Sequence, residues 1–194
     1  YEWPSVDDIV KNEDSFLIGD AIRISANFDL NAKGSEKEFK SAFAKGRYAE
    51  FSHYSITTVK EESEMIDLYS GFDFVNIHVI EGNVVPFQDS KGVKVTKELL
   101  EDQMRLLVFP TESGYAQGHM YIADGSTIDE KHQYIKITHA DQVIQFNLVD
   151  GVADDETKLN EVIEEIHIVG TANVETVDFA CYLNIGGDYK PLKV

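Results

Sequence analysis

From Val75 to Gln88 the chain reads VNIHVIEGNVVPFQ. Asn76, His78 and Ile80 alternate with Val75, Ile77 and Val79, a period-two pattern in β-branched residues that predicts a strand. Glu81, Gly82 and Asn83 interrupt it. Val84 to Phe87 then form a second short strand, which Pro86 ends because it lacks the amide a ladder needs. Strand, corner and strand is the expected edge of a β-sandwich. The same pattern recurs along the chain. Phe16 to Ile18 and Ala21 to Ile24 flank Gly19, and the residues from 26 to 90 read as strands around a polar excursion from Asn31 to Lys40. Lys91-Gly92 opens a polar hinge between two β-rich blocks. Beyond it, strands are expected at Met104–Phe109, Gly118–Gly125, Tyr134–Thr138, Gln142–Asn147 and Val162–Gly170, with turns at Pro110–Gly114 and Asp124-Gly125. Helical character is confined to a start at Asp7 and Asp8 and to Thr96–Gln103.

Composition changes this picture little, but charge narrows the partners. The 194 residues carry 17 basic and 35 acidic side chains, a net charge of −18. Phosphate binding needs concentrated Lys and Arg, so nucleic acid is a poor partner and none is expected, and an anionic membrane is disfavoured. No apolar run is long enough to span a bilayer. Such a surface loses much of its self-repulsion as carboxylates protonate, which is compatible with an acidic compartment. The single cysteine, Cys181, excludes an internal disulfide, and its apolar neighbours make it a small buried hydrophobe. The opening, Tyr1-Glu2-Trp3-Pro4, carries no signal-peptide pattern and reads as the continuation of a longer chain. There is no Asn-x-Ser/Thr sequon.

The Val75–Gln88 stretch resembles the I-N-V-H-x-R-x-G-x-I-I-P-x-Q signature of glycoside hydrolase family 31, the retaining α-glucosidases. Val75, Asn76, Ile77, His78, Gly82, Val84, Val85, Pro86 and Gln88 fit it. Ile80 stands where the family has arginine, and Glu81 where it has a small residue. Phe16, Leu17, Gly19, Ala21 and Ile22 fit the family's D-x-Q-F-L-x-G-x-A-L-L-V segment, with Glu13 for Asp, Ser15 for Gln, and Arg23 interrupting the apolar run. Phe43 to Tyr48 is similar to the family's F-P-x-G-x-W turn, with Ala44 for proline and Tyr48 for tryptophan, while Glu50 stands for an Asp. Thr96 and Glu98 fit a T-x-E-S-R segment, and Gly118–Gly125 is similar to G-x-L-F-x-D-D-G. The matches run in order along nearly the whole chain.

The resemblance implies an all-β chain of two consecutive antiparallel β-sandwich domains, with a short N-terminal remnant of a (β/α)8 barrel. Residues 1–25 would be the end of the catalytic barrel and linker, 26–90 the proximal sandwich and 91–194 the distal one. The parent enzyme would hydrolyse terminal α-linked glucose from oligosaccharides, glycogen or starch, without metal or organic cofactor. Its partners would be the catalytic barrel of the same enzyme, carbohydrate through that enzyme, and in a homo-oligomer a second copy. Its place would be the secretory pathway, lysosome-like or extracellular. The alternative is a free-standing carbohydrate-binding or structural β-sandwich protein without catalysis.

A retaining glycosidase needs two carboxyl groups roughly 5–5.5 Å apart. The family's W-x-D-M-N-E-type nucleophile segment is absent, so the catalytic residues are expected upstream and none is assigned in this chain. His78 and Glu81 are the nearest local acid and base, but three positions apart on a strand they face opposite ways. The bland expectation for His78 is a ring hydrogen-bonded to neighbouring backbone. His132 and His139 lie too far apart along their strand to meet, and no histidine belongs to a zinc-binding pattern. Asp150, Asp154, Asp155 and Glu156 do not match a calcium loop, and Glu61, Glu62 and Glu64 read as a solvated face. Gly34, Gly46, Gly114 and Gly118 form no phosphate cradle, and Ser5, Ser25 and Ser52 no nucleophile elbow. No cofactor-binding or metal residue is assigned. The rings of Phe43, Tyr48, Phe51, Tyr54, Tyr69, Phe72 and Phe74 fit core filling better than sugar stacking.

Overall fold

In the computed structural model, residues 3–28, 37–71, 74–99, 102–123, 132–151, 163–171, 181–185 and 188–192 are described. Among them the chain is almost wholly β. Five strands, β1 (Ser15–Ile18), β2 (Ile22–Ser25), β3 (Lys37–Glu50), β4 (Ile56–Ser70) and β5 (Asn76–Ile80), form one antiparallel sheet in the order β1-β2-β5-β3-β4. Six more, β6 (Asn83–Phe87), β7 (Met104–Phe109), β8 (Ala116–Ala123), β9 (His132–Ala140), β10 (Val143–Gly151) and β11 (Ile163–Ile168), form the second, in the order β10-β9-β8-β6-β7-β11. A last hairpin joins β12 (Cys181–Ile185) to β13 (Asp188–Leu192). The helices among the described residues are α1 (Asp7–Val10) and α2 (Thr96–Leu99), the latter at the start of the 96–103 segment expected to be helical, of which 100 and 101 lie outside the described residues.

The Val75–Gln88 stretch links the two sheets. Ile80 ends the first and Asn83 begins the second, with Gly82 between them at φ +84°, a conformation that costs glycine no steric penalty. Sheets therefore change over at this corner, ahead of the Lys91-Gly92 hinge, and β1 and β2, in the segment expected from the barrel, pair within the first sheet. The second sheet is mixed, not purely antiparallel. β11 returns from a long connection and lies parallel to β7, and β6 and β8 run parallel. Parallel neighbours cannot be joined by a tight turn, so local sequence carries no sign of them.

Two stretches depart from their expected form. The F-A-K-G-R-Y segment is not a turn. Ala44 keeps the amide that a proline would lack, and β3 runs through it with a bulge between Ala44 and Gly46. Gln142 is not in a strand but shares the β9–β10 turn with Asp141, at φ +63° and +51°, the signs a two-residue primed turn demands. The Asn31–Lys40 excursion lies outside the described residues from 31 to 36, and its last residues already belong to β3. The Asp124-Gly125 turn and Phe72 also lie outside the described residues.

Beyond the bulge, the outer half of the β3–β4 hairpin folds back over its own sheet. Ser41 and Ala42 of β3 bond to Arg23 of β2, and Asn76 of β5 donates to the Tyr69 carbonyl of β4 at 2.7 Å. Three apolar clusters result. Phe43, Tyr48, Val59 and Leu68 fill the folded hairpin. Val84, Leu106, Val108, Ala116, Met120, Ile122 and Ile137 fill the second sheet's own core. Between them, Ala49 and Val79 of the first sheet pack on Val85, Leu107 and Phe109 of the second. The close approach of β6 and β8 requires Gly118, since a Cβ there would collide with the Val84 carbonyl.

Candidate functional site

Three arginine-centred clusters and a cleft stand out among the polar features of the described residues. The first cluster lies inside the first sheet. Register places Arg23 opposite His78 on one face, where the hairpin covers both. Arg23 is 3% exposed. Its guanidinium donates to the hydroxyls of Ser15 at 2.9 Å and Ser41 at 3.0 Å, to the Ser25 hydroxyl, and to the Ala42 carbonyl at 2.6 Å. Burial lowers its pKa to about 10, so it stays charged at neutral pH. The Tyr48 hydroxyl donates to the Ala44 carbonyl at 2.9 Å, and burial raises its pKa to about 12.

His78 differs from its expectation. The ring meets Phe43 edge-on at 5.1 Å between centroids, and its Nδ1 has no hydrogen-bond partner among the described residues. Packing, not backbone bonding, holds it. Burial and then the Arg23 charge lower its pKa to about 4. Glu81 points elsewhere, to Arg47 at 3.5 Å, so the two form no acid–base pair.

The second cluster joins the sheets. Arg47 of β3 pairs with Glu81, donates to the Pro110 carbonyl at 3.4 Å and the Gly170 carbonyl at 3.0 Å, and lies 5.1 Å from the Phe109 ring centroid. One side chain thus ties β3, the corner, and the ends of β7 and β11 together. On the far edge, Arg105 meets Asp89, Glu164 and Glu165 at 3.2–3.5 Å. These partly exposed pairs are structural and contribute little individually.

The cleft lies where the Asp20–Ala21 turn overhangs β6 and β8, with a volume of about 330 Å³. Sequence reasoning missed it, because its walls come from segments nearly a hundred residues apart. Phe43 and Tyr48 are buried in the core as expected. Tyr69 of β4, by contrast, reaches the surface at 41% exposed, and on the second sheet His119 stacks on Tyr134 and Tyr121 on His132.

No group of three or more metal-ligating side chains occurs among the described residues, and 154–156 lie outside them. Asp150 sits on β10, 3.6 Å from His132. Ser25 serves Arg23, and Ser52 bonds the Glu50 carboxylate in the turn that follows it. His132 and His139 begin and nearly end β9. None of these arrangements forms a serine–histidine–carboxylate triad or a phosphate cradle. No helix among the described residues is long and apolar enough to cross a membrane.

No established family model matches the chain. It is 24% identical over 151 residues to an α-glucosidase of Schizosaccharomyces pombe, a match covering 78% of this chain and 14% of that protein. The fold aligns with the glucosidase II alpha subunit at a TM-score of 0.78 and 17% identity, covering 98% of this chain and 21% of the other. It also aligns with the family 31 dextranase of Flavobacterium johnsoniae at 0.54 and 17%, covering 75% and 18%. The chain thus spans only about a fifth or less of the proteins it matches. By sequence its relatives are α-glucosidases, and by fold it corresponds to a C-terminal region of glycoside hydrolase family 31 enzymes.

Proposed function

We propose that this chain is the non-catalytic C-terminal part of a retaining α-glucosidase, where it supports the catalytic barrel and shapes assembly. The reading is carried by exposed apolar side chains at the start of the first sheet. Val10, Phe16, Ile18 and Phe28 are each more than half exposed, and exposed apolar surface that a partner would cover marks an interaction site. Phe16 and Ile18 point outward from the edge strand β1, in the segment whose counterpart leads out of the barrel. The carboxylate pair then comes from the barrel, and this chain holds the barrel's flank without contributing a catalytic group. Residues 1–25 are taken as the end of the catalytic barrel and linker, 26–90 as the proximal and 91–194 as the distal β-sandwich unit. The parent works in the secretory pathway or outside the cell, a placement that the likeness to ER glucosidase II supports.

Native and denaturing mass spectrometry of the protein from its source tests this. The expected result is a much larger polypeptide containing this chain, with α-glucosidase activity that releases glucose with retained configuration. Recovery of the 194-residue chain alone, free of any larger partner, overturns it.

A further inference from the structure

We propose that the cleft beside Asp20 binds a neutral oligosaccharide. It opens where the core between the two sheets reaches the surface, a place where small-molecule sites commonly form, and its size is at the lower end of their range of about 300–1,000 Å³. Ala21 and Pro86 give it an apolar floor. Four polar side chains line it: Asn83, whose amide is spent on the Ile80 and Glu81 carbonyls, and Asp20, Gln117 and His119. The Tyr115 hydroxyl donates to Gln117 Oε1 at 2.9 Å, which fixes the amide and leaves its two N–H donors without a partner among the described residues. The Asp20 carboxylate is an exposed acceptor, likewise unpartnered there. A fixed donor beside a free acceptor over an apolar floor matches a sugar ring, which offers vicinal hydroxyls at its edge and C–H groups on its face.

Other ligand classes fit poorly. No lysine or arginine lines the cleft, and the net charge of −18 repels anions. An extended peptide cannot add a strand, because β6 and β8 are each paired on both sides. A longer chain of sugars has somewhere to go. From His119 at the mouth, the stacked rings of His119 with Tyr134 and Tyr121 with His132 continue along β8 and β9, at 5.2 and 5.3 Å between centroids. Tyr121 is 59% exposed, and aromatic rings of this amphipathic kind suit a wet binding surface.

The site stands on this geometry. Only the choice of α-linked glucose among neutral sugars rests on the proposed function. The full chain is titrated with maltotriose, isomaltotriose, cellotriose and chitotriose, and binding is followed by calorimetry and by amide chemical shifts. Saturable binding of the α-glucans is expected, weakened about tenfold by Gln117→Leu and by Asp20→Asn, with shifts centred on the cleft and unchanged dispersion elsewhere. Saturable binding of cellotriose or chitotriose alone keeps the site and removes its link to an α-glucosidase. No saturable binding of any trisaccharide, or binding that both substitutions leave intact in folded protein, overturns the proposal. Recovery of the chain without a larger parent leaves the cleft standing if sugars still bind.

Discussion

The guanidinium of Arg23 lies 3.7 Å above the ring centroid of Phe43. No carboxylate accompanies it among the described residues, and its hydrogen-bond acceptors are three serine hydroxyls and a carbonyl. The charge is compensated by dipoles and by the ring face, an arrangement that favours arginine, with its planar fork of five donors, over lysine.

Arg23→Leu is expected to destabilise the protein by about 3 kcal/mol, since it leaves the acceptors around it unpaired in a buried site. Arg23→Lys retains the charge but cannot reach every acceptor, and should fall between. Urea unfolding checks both, through the midpoint at unchanged slope. A leucine variant within about 0.5 kcal/mol of wild type would show that the network adds nothing.

His78 makes stability depend on pH. Its folded pKa of about 4 lies below the unfolded value of about 6.5, so between these limits the unfolded chain binds more protons. The contribution is complete above pH 6.5 and is lost as pH falls towards 4. Glu50 adds to the loss further down. Burial alone would raise its pKa, but the backbone amides of Ser52 and His53 outweigh this and hold it low, so it stabilises above its unfolded value and less as pH falls. His78→Gln should flatten the unfolding midpoint between about pH 6.5 and 4 relative to wild type. Parallel curves for the two proteins would exclude His78 as the cause.

Two glycines should tolerate no side chain. At Gly118 a Cβ collides with the Val84 carbonyl, and at Gly170, with φ +76°, it comes within 2.6 Å of the Phe109 ring. Ala at either position is expected to cost about 2 kcal/mol or more. Thermal unfolding separates them: Gly118→Ala strains the second sheet internally, while Gly170→Ala should also loosen Arg47.

The Arg47–Glu81 pair is the less important half of its cluster. Glu81→Gln should cost under about 1 kcal/mol, as partly exposed pairs do. Arg47→Ala removes two carbonyl contacts and the ring contact as well, and should cost about 2 kcal/mol. Equal losses in the two variants would mean that the ion pair, not the bridging, holds the sheets.

The Val75–Gln88 corner was legible because alternation, glycine and proline act within a few residues. Most second-block strands were legible for the same reason. Long-range features were not. That β11 joins β7 in parallel, or that the outer half of the β3–β4 hairpin folds back, leaves no local trace. Arg23 was visible only as an interruption of an apolar run, because its acceptors come from residues 15, 25, 41 and 42. Ile80 was visible only as a missing arginine. The two belong together: Arg23 stands opposite His78, and Ile80 is the next residue on that face, packed on the Phe43 cluster. The guanidinium enters the same core from the neighbouring strand. The sugar cleft was illegible since Asp20 and Gln117 meet only in the folded chain.

The parallel pairing of β11 with β7 also sets a timetable for biosynthesis. Leu106 to Phe109 are completely buried in the finished protein, yet one edge of their strand waits for residues 163–168. At roughly 5–20 residues per second a ribosome needs roughly 3–12 s to make the intervening stretch. Throughout that interval the nascent chain displays an open, strongly apolar strand edge, the feature most apt to pair with a neighbour. Chaperone dependence and a vulnerability to truncation before β11 are therefore written into the order of the strands.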